Sequence, residues 1–93
     1  MKYAFLIMGE FSSQRDHAAF PGGDIQMIGV SNLEEAGNVA KKLLEQDVAC
    51  IELCGAFEES GARAVIEATE GKIPVGFVTH FPEQDSLFQT VFG

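Results

Sequence analysis

Between residues 25 and 79 the chain switches repeatedly between two hydrophobic periods, and this alternation limits its folding options more than any other feature. The runs "IQMIGV" (25–30), "VACIEL" (48–53) and "IPVGFVT" (73–79) are short, apolar and rich in β-branched residues, as strands are. Between them, Leu33, Ala36, Ala40, Leu43 and Leu44 recur at helical spacing, as do Ala62, Val65, Ile66 and Thr69. Ser31 is expected to cap the first helix, with Glu34 three residues on completing a capping box, and Gly71 to close the second. Strand, helix, strand, helix, strand implies parallel strands joined by right-handed crossovers. The expected fold class is α/β.

The opening "YAFLIM" (3–8) is apolar on both alternating sides, which predicts a central strand covered on both faces. Residues 9–24 hold most of the turn chemistry, including Pro21-Gly22-Gly23, and have room for two helical turns at most. The direction of the first strand depends on whether this segment acts as a crossover. In the tail, Leu87, Phe88, Val91 and Phe92 fall at helical spacing. The sum is one α/β domain over residues 1–93: a single-layer, mainly parallel four-stranded sheet, two crossover helices and a short C-terminal helix. Two helices scarcely cover both faces of such a sheet, so a second copy is expected to finish the job as a homodimer.

A net charge of −8, with only six Lys and Arg scattered along the chain, excludes a phosphate-backbone stripe, and nucleic acid with it. The apolar opening is too short for a spanning helix and lacks a signal-peptide cleavage site, so no membrane partner is expected and the location is read as cytoplasmic. Cys50 and Cys54, four apart in a strand, have Cα atoms roughly 13 Å apart, beyond disulfide reach. Free thiols fit a reducing compartment.

In an open parallel sheet ligands bind beyond the carboxyl ends of the strands. Cys54 and Gly55 leave the third strand there, His80 follows the fourth, and Glu10 joins them if the first strand runs parallel. The "CGAFEESG" loop, with Gly55, Ala56, Phe57, Ser60 and Gly61, resembles an anion cradle in outline. Glu58 and Glu59 stand where a phosphate would approach, and neither P-loop lysine nor dinucleotide glycines are present. Arg15 and His17 form a second polar group that can fold over the same edge. Cys54 beside His80 is the pattern of a thiol nucleophile with its base. Glu52, between Ile51 and Leu53, interrupts an apolar strand and needs a partner if buried: a backbone amide pair, Arg63, a symmetry mate, or a role as orienting carboxylate or metal ligand. No sequential metal motif supports the last, and no cofactor is implied.

"YAFLIM", "IGV" before an "EEA" helix, and above all "IELCGAF" followed by "IPVGFV" resemble the DUF6506-type family of small bacterial and archaeal proteins of unknown function. The likeness runs to His80, with the tail from Phe81 departing from the pattern. It implies a small cytosolic α/β domain and carries no activity, cofactor or catalytic assignment. Three functions follow from the residues: small-molecule binding at the carboxyl edge; a lyase, isomerase or hydrolase using Cys54, His80 and Glu52; and a homo-oligomeric assembly module without catalysis.

Overall fold

The computed structural model describes residues 1–93. Its strands are β1 (Tyr3–Met8), β2 (His17–Ala19), β3 (Ile25–Val30), β4 (Cys50–Leu53) and β5 (Val75–Phe77). The helices are α1 (Leu33–Glu45), α2 (Glu58–Ala68) and α3 (Asp85–Phe92). One sheet runs in the order β2-β3-β1-β4-β5. β1 is central and parallel to both β3 and β4, β5 is parallel to β4, and only β2 is antiparallel. The fold is α/β and mainly parallel, with five strands where four were expected. The added strand, β2, is three residues long, entirely exposed, and held by its backbone ladder to β3. It lies within the crossover that makes β1 and β3 parallel.

Right-handed crossovers moving in one direction place α1 and α2 on the same side of the sheet. Ala4 and Leu6 of β1, Ile28 and Val30 of β3, and Ile51 and Leu53 of β4 point to that side and form one core with Ala36, Val39, Ala40, Leu43, Ala62 and Val65. Within one copy the crossover helices therefore cover β1 on one face only. Tyr3, Phe5 and Ile7 share the opposite face with Ile25 and Met27, and no helix lies over them. Only Phe11 folds back across the carboxyl end of this face. Its Cβ lies 2.7 Å from where a side chain on Gly29 would begin, so glycine is required there.

The helix starts one residue later than expected. Asn32, not Ser31, is the N-cap of α1, its side chain accepting from the Glu35 N–H at 2.8 Å. Asp47 follows the C-cap of α1 with φ 59°, while the Val48 and Asp47 N–H groups donate to the Leu43 and Leu44 carbonyls, the bonding of a Schellman turn. Glu70, rather than Gly71, takes the equivalent place after α2, with φ 57°. A left-handed conformation costs an aspartate more than a glycine. Asp47→Gly is expected to stabilise the domain by about 0.5–1 kcal/mol, measured by urea unfolding at unchanged m-value.

Beyond β5 the chain leaves the body. A 3₁₀ turn at Pro82–Gln84 leads into α3, and every residue from Val78 onward is exposed. No helix is long and apolar enough to cross a membrane.

Candidate functional site

β1 and β4 are neighbours whose outgoing connections part. The chain leaving β1 turns toward β2 and β3, whereas the chain leaving β4 runs through α2 to β5 on the other side. The carboxyl ends where they part form the topological switch point of an open α/β sheet, the place where a ligand crevice is expected by rule. Gly9 and Glu10 border it from β1, and Cys54 and Gly55 border it from β4. The Cys54 sulfur is lodged between the two strands, where it accepts a hydrogen bond from the Met8 N–H at 3.3 Å. The Cys54 N–H in turn donates to the Leu6 carbonyl at 3.0 Å, so β4 stays paired to β1 up to the rim.

The floor beside Cys54 is backbone. Gly55 opens a 3₁₀ turn that ends at Phe57, and the first two N–H groups of this turn, from Gly55 and Ala56, have no acceptor within it. A side chain on Gly55 would meet the Val78 carbonyl at 3.3 Å, which shows how closely the strand after β5 passes. The turn then makes an abrupt join to α2. Glu58 has φ 57° and ψ −176°, a region almost reserved for glycine. Glu58→Gly is expected to raise stability by about 1 kcal/mol through relief of this strain, read as a rise in the thermal midpoint.

One wall is a loop tied down by a carboxylate. Glu35 reaches from the first turn of α1 to accept from the Ser13 N–H and hydroxyl, both at 2.8 Å, through one oxygen. Its other oxygen accepts from the Ser31 N–H at 2.7 Å and the Ser31 hydroxyl at 2.8 Å. These donors, led by the Ser13 N–H, hold the Glu35 pKa down at about 2. Within the same loop Asp16 accepts from the Ser12 N–H at 2.9 Å and pairs with Arg15 at 2.7 Å. The Arg15 guanidinium and then the Ser12 N–H keep the Asp16 carboxyl below its ordinary range.

The residues singled out in the sequence do not all come together. Cys54, Gly55 and Ala56 follow β4 and Glu10 follows β1, at the carboxyl edge of the sheet. Phe57 and Gly61 turn inward: Phe57 is a core residue, and Gly61 is pressed between Phe57 and Leu33 where α2 crosses α1. Ser60 is exposed on the first turn of α2. Arg15 is engaged with Asp16, and His17 lies on β2 opposite Ile28, at the sheet edge. His80 belongs to the arm, where its Nε2 lies 2.6 Å from Asp85 and its ring stacks on Phe88 at 3.9 Å. No hydrogen bond joins it to Cys54.

Glu52 is away from the crevice, midway along β4 on the uncovered face, beside Phe5 and Gly76. The Cys50 thiol donates toward it at 3.7 Å, and burial followed by the Glu52 charge pushes the Cys50 pKa up. Tyr3, packed in the same group, is raised by the same causes. Arg63, the partner considered from sequence, pairs instead with Glu59 on α2. An uncovered face lets water reach the carboxylate, so Glu52 needs no buried counter-charge. No three His, Cys, Asp or Glu side chains converge to hold a metal ion.

Glu35, Ser13 and Phe11, which order the loop after β1, were not singled out in the sequence. Glu35 carried a signal, since it stands three residues after Asn32 as a capping partner should. Neither the curated proteins nor the solved structures contain a match to this chain. A family model does match it, over residues 1–93 and so including the arm that had looked divergent, and the chain belongs to DUF6506, a family of unknown function.

Proposed function

We propose that this chain is a small-molecule-binding domain whose site is the crevice between the carboxyl ends of β1 and β4. The observation that carries the reading is the parting of the two connections there, beside the Cys54 thiol and the first turn after β4, whose opening N–H groups have no partner within the turn. The ligand class follows from charge. The domain has a net charge of −8, Glu10, Glu58 and Glu59 stand near the rim, and Arg15 is already paired. A phosphorylated ligand meets repulsion, while a small neutral or cationic molecule with a carbonyl or hydroxyl for the N–H groups is favoured. Catalysis by Cys54 with His80 has less behind it, because the imidazole is engaged with Asp85 and Phe88.

Native mass spectrometry of the protein, screened against a library of small neutral and cationic compounds, tests the reading. Cys54→Ala is expected to weaken the best adduct at least tenfold while leaving the thermal midpoint within a few degrees. An adduct that the variant retains at full affinity would place the ligand elsewhere.

A further inference from the structure

Two apolar surfaces of this chain have nothing packed on them. One is the sheet face opposite α1 and α2, where Ile25 is 40% and Met27 50% exposed beside the partly exposed Tyr3, Phe5 and Ile7. The other is the C-terminal arm, with Leu87, Phe88, Val91 and Phe92 along α3 and Phe81, 75% exposed, before it. The arm makes the molecule 39 Å long against 26 and 24 Å in the other directions.

The arm has a stability problem of its own. Helices shorter than about 12–15 residues are marginal in water even when rich in alanine. α3 has eight residues, "DSLFQTVF", with no alanine and four of low helix propensity among Phe, Thr and Val. It requires a surface to fold against, and its own body supplies none in this arrangement.

We propose that the arm of each copy docks on the open sheet face of a second copy, so that two reciprocal arm-to-face contacts hold a homodimer. The dimensions agree. An eight-residue helix is about 12 Å long, and the Met27-Phe5-Glu52-Gly76 row crosses four strands, roughly 14 Å at the usual strand spacing. At its β5 end Gly76 carries no side chain and the Glu52 carboxylate lies over it, 2.7 Å from where a Cβ would sit. The area agrees as well: the exposed parts of the five arm side chains sum to roughly 600 Å². Two contacts, counted on both sides, remove on the order of 2,000 Å², enough for a specific and stable interface. Glu52 is the one charge in the face row, so the docked arm has to leave its carboxylate within reach of water or of a hydrogen-bond donor; the acid of α3, Asp85, is bonded to His80.

Light scattering on the full chain, with two sets of variants, tests this. The parent is expected to be a dimer at micromolar concentration. The arm variant Phe88→Asp/Phe92→Asp and the face variant Met27→Asp are each expected to dissociate at least 100-fold more readily, with unchanged circular dichroism from the body; Ile25→Glu is the second face variant if the first does not fold. Each variant keeps the surface that the other lacks. An equimolar mixture is therefore expected to form a heterodimer through one intact contact, at least tenfold tighter than either variant alone. A monomeric parent overturns the proposal. So does an arm variant or a face variant that dimerises like the parent, since that outcome means a face-to-face or an arm-to-arm interface. A mixture that stays monomeric overturns it too.

Discussion

Leu53→Ala is expected to destabilise the domain by about 3 kcal/mol, lowering the thermal midpoint by about 15–20 °C for a chain of this size. Leu53 is fully buried at the end of β4, among side chains from the sheet and both crossover helices. Removing its isobutyl group both exposes apolar surface and leaves a cavity that a rigid sheet cannot collapse. Met27→Ala, on the same sheet but on its uncovered face, is expected to cost less than about 1 kcal/mol in the Phe88→Asp/Phe92→Asp background. The contrast measures the asymmetry of the sheet directly. Equal losses at the two positions would mean that something covers both faces within one copy.

Glu35→Ala is the second large change, with an expected loss of about 2 kcal/mol at pH 7 from four hydrogen bonds to a carboxylate that is half-buried. Its pH dependence has a definite sign. The folded pKa of about 2 lies below the ordinary 4.5, so the native state favours the charged form, and the stabilisation is fully present above pH 4.5. It declines as pH falls from there and is lost through about 2. The parent minus variant difference, followed by urea unfolding, is therefore expected to be flat from pH 7 to about 5 and to shrink steadily below. A difference that grows on acidification contradicts the clasp. The same substitution frees Ser13 and with it the wall of the crevice, so hydrogen exchange in residues 9–16 is expected to rise at least tenfold.

The alternation from β3 to β5 was legible because each of those elements buries one stripe against the others, and burial writes itself into hydrophobic period. β2 was not, because His17, Ala18 and Ala19 are all exposed and are held by main-chain bonds that any sequence can make. The second face of β1 was legible as apolar, and what covers it was not. Tyr3, Phe5 and Ile7 carry no mark that distinguishes a helix of the same copy from some other surface. The cap of α1 slipped by one because Ser31 and Asn32 can each cap, and Glu34 and Glu35 each stand three residues beyond one of them. What decides between the pairs is Ser13, which donates to Glu35 from 22 residues away, a contact outside any local pattern. The carboxyl-edge positions of Cys54, Gly55 and Glu10 were legible, since strand ends follow from strand order. The inward turn of Phe57 and Gly61, and the strained backbone of Glu58, depend on how α2 meets α1.

Where a ligand sits is read residue by residue by amide chemical-shift mapping. Proton–nitrogen correlation spectra of the full chain would be recorded against a library of small neutral and cationic compounds. Binding at the crevice is expected to shift the amides of Gly9 to Phe11, Cys54 to Phe57 and Val78, and to leave those of the outer faces of α1 and α2 in place. Shifts confined to the groove that Leu33, Gly37, Ala64 and Ala68 line between α1 and α2, or no shift with any compound, would contradict a site at the carboxyl edge.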